Sequence, residues 1–197
     1  MAAPAPARLE TLVRSFRELQ GSGAMEGLWR LRWGREQEAL ALLQEERVRT
    51  LTLAEAETLH RSLPVSQRRR REFLGNTIEQ VREALWFLLY EQAPYEVRVW
   101  EVLDEGGGYR LRGADLCVVS ALLGVHQPTS FGLADAMSIR ALRRLGLLRP
   151  FAGNESYAGR FQKVQEALWR LRALAGFQDF QETDIFLGAL ARGMLSA

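Results

Sequence analysis

The sequence predicts an all-α protein folded as a multi-helix orthogonal bundle. Apolar residues recur at three- and four-residue spacing along most of the chain, as they do in amphipathic helices. Helix-capping sequences precede several of these stretches. The one apolar alternation typical of a strand, at Val97 and Val99, is isolated, so we interpret it as helix. Roughly eight to ten helices account for the chain.

The first half of the chain divides into helices at clear boundaries. We predict one helix over 8–20 and a second over 25–47, with a kink at Gly34. The sequence Thr52-Leu53-Ala54-Glu55 matches a capping box, in which a hydroxyl and a carboxylate bind free amides at a helix start. A short helix follows from it to Ser62.

The later helices are predicted in the same way. The segment Asn76-Thr77-Ile78-Glu79 offers a second cap, and the helix after it is apolar nearly all round. We therefore expect that helix to be the central, buried one. Pro94 suits the first turn of the next helix, which a triple glycine at 106–108 closes. Helices over 155–175 and 182–195 complete the chain.

Composition limits the function classes. With 47% hydrophobic and 25% charged residues the chain fits a globular protein, here predicted as an N-terminal helical extension (1–50) and a helical domain (51–197) in one compact unit. No apolar run is long enough to span a bilayer, and no signal peptide is recognisable. The single Cys117 excludes an intrachain disulfide and a four-cysteine metal site. We expect a cytoplasmic protein without metal, cofactor or membrane contact.

Basic residues are almost all arginine, and they are unevenly distributed. The net charge is only +2, and Lys163 is the single lysine among 26 basic residues. Residues 136–172 nevertheless hold seven arginines and one lysine against two glutamates. Four further arginines are consecutive, at 68–71. Arginine binds phosphate with two-point geometry, so these stretches indicate either a phosphate contact or a solvated, arginine-rich face.

The stretch from Tyr109 to Gly146 carries the strongest functional pattern. Residues 111–115 predict a tight glycine turn, after which a buried helix, a proline loop and a second helix opened by Asp135 follow. Free amides at such a turn bind phosphate oxygens, and glycine lets the phosphate approach the backbone. Gly113 and Ala114 would supply these amides.

This segment resembles the hairpin of helix-hairpin-helix DNA glycosylases, with Gly113 at the first hairpin glycine and Asp135 at the catalytic aspartate. It is more similar still to a standalone helical family related to that fold, often found near restriction and repair genes. The resemblance covers about residues 50–192. Its short motifs are matched by Asn76, Leu88-Leu89-Tyr90, Pro94 and Arg98; by Gly113, Ser120, Leu122-Leu123, Pro128 and Phe131; and by Asp135, Ser138, Ala141-Leu142 and Leu145-Gly146.

The sequence departs from the glycosylase pattern at two positions. Asp115 replaces the second hairpin glycine, and its carboxylate would repel a phosphate there. Cys117 lies at or beside the position of the nucleophilic lysine, which excludes a Schiff base at that site. Asp135 either acts alone, by activating water or stabilising positive charge on the sugar, or serves as an N-cap of the helix it opens.

The resulting hypothesis is a DNA-binding helical module of a repair or restriction-defence system. The alternatives are a lysine-free DNA glycosylase that uses Asp135, and a non-catalytic subunit that binds another protein. In the leading hypothesis a glycine hairpin and an arginine-rich helix bind backbone phosphates. The residues predicted to contact DNA are Arg68, Arg69, Arg110, Arg112, Gly113, Ala114, Arg140 and Arg144.

Two further side-chain sets have open interpretations. Glu182 and Asp184 either pair with Asp135 as an acid–base set or begin the last helix, where negative charge is favoured. Trp29 and Trp33 either belong to the core or form a stacking surface.

Overall fold

The chain, described by a computed structural model over residues 6–195, forms helices and no strand within that range. The helices pack in a bundle, and none of those described is long and apolar enough to cross a membrane. In chain order they are α1 (Pro6–Gly21), α2 (Glu26–Trp33), α3 (Glu36–Leu42), α4 (Glu45–Thr50), α5 (Leu53–Ser62), a 3-10 turn (Gln67–Arg69), α6 (Arg70–Phe73), α7 (Ile78–Tyr90), α8 (Tyr95–Leu103), α9 (Leu116–His126), α10 (Ala136–Arg144), α11 (Tyr157–Ala175) and α12 (Phe180–Ala191).

Both predicted caps exist, although the second is shifted by one residue. The Thr52 hydroxyl accepts from the Glu55 amide at 3.3 Å, and the Glu55 carboxylate accepts from the Thr52 amide at 2.8 Å. At α7 the capping residue is Thr77, paired reciprocally with Gln80. Asn76 is buried instead and binds elsewhere. The isolated valine alternation lies within α8, as predicted.

The single helix predicted over 25–47 is wrong. The chain breaks after Gly34 and again at Gln44, where the backbone is extended, and so forms α2, α3 and the start of α4. These breaks turn Leu43 and Val48 into the core, where both are fully buried. Burial of these two side chains outweighs the local preference for one continuous helix.

One hydrophobic core contains residues from both predicted parts of the chain. Phe16 of α1 packs edge-on against Phe177 and Phe186, with ring centroids 5.6 and 5.5 Å apart. Helix α2 contacts α12, α3 contacts α5 and α9, and α4 contacts α7. The ends of the predicted parts, residues 1–5 and 196–197, lie outside the described range.

Helix α9 is more enclosed than α7, which was predicted to be the central, buried helix. Every residue from 118 to 125 is buried, because α3, α7, α8 and α11 surround this helix. In α7 the side chains of Trp86, Phe87 and Tyr90 are only half-buried. Aromatic residues raised the apparent apolarity of α7, yet they cover the edge of the core and do not occupy its centre.

Candidate nucleic-acid interface

A polar cleft of about 290 Å³ lies at the predicted glycine turn. We call it the Gly113 cleft. The loop before α9 forms its floor, and α6 and the start of α11 form its walls. Its lining residues are Arg69, Glu72, Leu103, Arg110, Leu111, Arg112, Gly113, Ala114, Asp115 and Tyr157. The structure thus brings together five of the residues predicted to contact DNA, namely Arg69, Arg110, Arg112, Gly113 and Ala114.

The turn at Gly113 is held against α6 by close packing. Gly113 has φ of +76°, and a Cβ atom there would lie 2.4 Å from the Phe73 amide nitrogen and 2.9 Å from the Arg69 carbonyl oxygen. The Asn76 side chain forms two 3.0 Å hydrogen bonds with the Arg112 backbone. Glycine is therefore required by the approach of the protein's own backbone, in addition to any approach by phosphate.

The turn differs from a short hairpin between two helices. Helix α8 ends at Leu103, so residues 104–115 separate it from α9. This connection folds back on α8, because the Leu111 amide donates to the Val102 carbonyl at 3.1 Å. The helix before the turn consequently stops short of the turn itself.

Most amides of the turn are already engaged. Ala114 donates to the Leu111 carbonyl at 3.3 Å, and Arg112 donates to the Asn76 side chain. The Gly113 amide alone, among residues 112–114, donates to no described atom. Of the two amides expected to bind phosphate, only that of Gly113 lacks a partner among the described residues, and Gly113 itself is buried.

The guanidinium groups of the Gly113 cleft are weakly paired. Arg69 Nε lies 4.0 Å from an Asp115 oxygen, and Arg110 lies 3.9 Å from exposed Glu105. Exposed pairs at such distances contribute little, so the arginines can exchange partners. The other Asp115 oxygen accepts the Val118 amide at 3.0 Å and caps α9. The carboxylate expected to repel phosphate is therefore hydrogen-bonded through one oxygen, while its other oxygen makes only the long contact with Arg69.

Three other predicted contact residues lie apart from this cleft. Arg68, Arg140 and Arg144 are exposed, and none of them lines a described cleft. Arg140 and Arg144 project from α10, which packs against α11 and α12. The structure therefore places the hairpin arginines and the α10 arginines on separate elements.

A second, larger cleft of about 610 Å³ opens at Asp135. We call it the Asp135 cleft. It borders the Gly113 cleft, since Asp115 lines both. The lining residues are Leu31, Arg32, Arg61, Leu63, Pro64, Val65, Ser66, Asp115, Cys117, Asp135, Ala136, Met137 and Arg192.

Asp135 caps the start of α10, which is one of the two roles predicted for it. Its Oδ1 accepts the Ser138 amide at 2.6 Å at the start of α10, and its Oδ2 lies 2.8 Å from Arg32 Nη2. The preceding residue is fixed as well, because the Ala134 amide donates to the Ser120 hydroxyl at 2.8 Å. The Asp135 side chain remains 16% exposed to the cleft.

Behind Asp135 lies a buried ion pair that the sequence did not reveal. Arg32 binds Asp184 through Nε and Nη2 at 2.5 and 2.6 Å, and Trp33 Nε1 donates to the same carboxylate at 2.9 Å. Asp184 is only 1% exposed. Arg32 therefore joins α2, α12 and the α10 cap.

The two partners of this pair shift each other's protonation. Burial raises the pKa of the Asp184 carboxyl, and the Arg32 and Trp33 donors oppose that rise. Burial alone would lower the pKa of the Arg32 guanidinium, but the two aspartates raise it above its ordinary value. Arg32 is charged at every physiological pH.

Two open interpretations are thereby settled. Trp33 is buried and bound to Asp184, so it forms no stacking surface with Trp29. Asp184 lies inside α12 and faces Arg32, whereas the start of that helix is capped by Asp179 with Glu182 in its first turn. Asp184 and Asp135 meet on one guanidinium, and Glu182 does not join them.

Cys117 lines the Asp135 cleft but is a poor nucleophile. Burial, followed by the negative charges of Asp135 and Asp115, raises the pKa of its thiol well above the ordinary value. The thiol is therefore protonated at neutral pH. Among the described residues, no cluster of three or more histidine, cysteine, aspartate or glutamate side chains could hold a metal ion.

Several motif residues named for the family resemblance stabilise the fold. Arg98 donates to the Leu88 carbonyl at 2.7 Å, and the Tyr90 hydroxyl donates to the Leu43 carbonyl. Asn76 and Ser120 each fix a loop beside one of the two clefts. These polar groups satisfy backbone atoms that the surrounding helices leave unpaired.

Comparisons of the chain with family models, with curated proteins and with solved structures found no match. The relationship to the helix-hairpin-helix glycosylase fold stays a prediction from the sequence motifs.

Proposed function

We propose that this protein binds DNA through backbone phosphates at the Gly113 cleft. The observation that carries the proposal is the convergence of Arg69, Arg110 and Arg112 around one cavity at the Gly113 turn. A role in repair or restriction defence follows from the motif resemblance alone.

The charges of the cleft favour an anion. Three arginines face two carboxylates, Glu72 and Asp115, among its lining residues. Asp115 is engaged by the first turn of α9, whose dipole offsets part of its charge. A phosphate would replace the long contacts of Arg69 and Arg110 with shorter, charge-assisted hydrogen bonds.

Replacing Arg110 and Arg112 together with alanine is expected to weaken DNA binding at low salt. Each phosphate contact that is lost should reduce the slope of log affinity against log salt by about 0.9 for duplex DNA, so the double variant loses up to about 2 from that slope. Fluorescence anisotropy titrations over a series of salt concentrations measure both quantities.

The matched control removes two exposed arginines from α1, Arg8 and Arg14, and so changes the net charge equally. It should leave the salt slope unchanged. Equal losses in the two double variants would show a general charge effect and not a site. Absence of any binding by the wild-type protein at low salt would overturn the proposal and favour a protein-interaction module.

The Asp135 cleft supports a second candidate function, a lysine-free DNA glycosylase. Its volume of about 610 Å³ falls within the range of small-molecule sites, about 300–1,000 Å³, and it adjoins the proposed phosphate site. A base extruded from bound DNA would enter beside Asp135. The Asp135 side chain faces the cleft, where a carboxylate would stabilise positive charge on the sugar.

Asp135→Asn tests this candidate. Asparagine caps helices about as well as aspartate, but its NH2 group cannot accept from Arg32, so we expect some loss of stability and an unchanged DNA affinity. Base release from oligonucleotides that contain damaged or deaminated bases should fall by at least about 100-fold. If the wild-type protein releases no base from such a panel, the enzyme candidate is wrong and DNA binding alone remains proposed.

A further inference from the structure

An exposed aromatic ring lines the Gly113 cleft beside its arginines. Tyr157, the first residue of α11, is 45% exposed. Its position is fixed by the start of the connection between α8 and α9, because both oxygens of buried Asp104 accept the Tyr157 and Ala158 amides at 3.0 Å. The loop that carries the arginines therefore also holds the tyrosine in place.

Cations and aromatic rings continue from this tyrosine toward α10. The Arg160 guanidinium lies 5.5 Å from the Tyr157 ring centre and 5.9 Å from that of Phe151. On the α10 side, the Arg143 guanidinium lies 5.1 Å from the centre of the same Phe151 ring. We call Tyr157, Arg160, Phe151 and Arg143 the cation–aromatic band. It links the hairpin arginines to the exposed arginines of α10, which share no cleft with them.

Alternating positive charge and aromatic rings suit unpaired nucleotides. In a duplex the bases stack on one another and present only their edges, so a ring on the wall of a phosphate-binding cleft gains no stacking contact with a base. A single strand can turn its bases toward such rings while arginines hold its phosphates.

We propose that the Gly113 cleft and the cation–aromatic band bind single-stranded DNA, with a base stacked on Tyr157. This inference rests on the proposed DNA binding and adds the class of DNA. The path runs from Arg110 and Arg112, past Tyr157 and Arg160, to the C-terminal end of α10.

The test compares one labelled oligonucleotide of about 20 nucleotides, longer than the 4–16 that typical single-strand sites cover, with its duplex at low salt. We expect the single strand to bind more tightly. Tyr157→Ala should weaken single-strand binding by about 5- to 150-fold, the range expected for one lost stacking contact, and leave duplex binding unchanged. Tyr157→Phe should retain single-strand binding, because the ring is kept.

Trp169→Ala is the matched control. Trp169 is also exposed on α11 with an arginine over its ring, Arg172 at 5.3 Å, but it lies about 18 Å farther along the helix. Its loss should leave single-strand affinity unchanged. Equal affinity for both DNA forms, or an equal effect of Tyr157→Ala on both, would overturn this inference while the Arg110/Arg112 result still supports DNA binding. Failure to bind either form overturns both proposals.

Discussion

Replacement of Arg32 with alanine is expected to lower the free energy of unfolding by about 3–5 kcal/mol, the usual cost of breaking a buried ion pair from one side. Asp184 would remain with a single donor, Trp33, in a fully buried position. Asp135 would lose its ion pair with Arg32 and keep its capping bond. Urea-induced unfolding followed by circular dichroism measures the change.

The loss of stability caused by Arg32→Ala should increase with pH. Without Arg32, burial raises the pKa of Asp184 further above its ordinary value of 3.8, so the folded protein holds a proton that the unfolded chain releases. A group with a raised folded pKa loses stability as pH rises above its unfolded pKa. The destabilisation by Arg32→Ala should therefore be larger at pH 7 than at pH 5.

Arg30→Ala supplies the control, because Arg30 is exposed on the same helix and should change stability by no more than about 0.5 kcal/mol. Adding Asp184→Leu to the Arg32→Ala variant should recover part of the lost stability, since it removes the buried carboxylate that has lost its ion-pair partner. A loss below about 1 kcal/mol for Arg32→Ala would show that Asp184 finds another partner or water.

Local features of the fold were predictable because their causes are local. The Thr52 capping box and the Asp135 cap each depend on residues within four positions of one another. The Arg32–Asp184 pair joins residues 152 positions apart, and no spacing rule relates them. Trp33 and Arg32 lie in the last turn of α2, and only tertiary packing decided that these two side chains face Asp184 while Arg30 stays exposed.

The candidate interface was predictable only in part for the same reason. The pattern of residues 111–115 indicated a glycine turn, and it forms with Gly113 at positive φ. Tyr157 reaches the turn through Asp104, which lies 53 positions away and caps a helix other than its own. Arg140 and Arg144 satisfy the charge pattern, but their helix packs on α12 and neither residue lines the Gly113 cleft.

Gly113→Ala is expected to lower the free energy of unfolding by about 2–5 kcal/mol. Positive φ costs an alanine about 1–2 kcal/mol, and overpacking against rigid neighbours costs about 1–3 more. The neighbours here are backbone atoms, the Phe73 amide at 2.4 Å and the Arg69 carbonyl at 2.9 Å from a Cβ atom, so no side-chain rotation can relieve the contact. Thermal or urea unfolding of the variant measures the loss.

Gly193→Ala separates the two contributions. Gly193 has nearly the same positive φ, +71°, but no atom lies within 4 Å of a Cβ atom built there. Its replacement should cost only the conformational part, about 1–2 kcal/mol. A Gly113→Ala loss that exceeds the Gly193→Ala loss measures the packing of the turn on α6. Equal losses would mean that the turn moves away from α6 freely, and the alignment of Arg69 with Arg110 and Arg112 would then not be a fixed property of the fold.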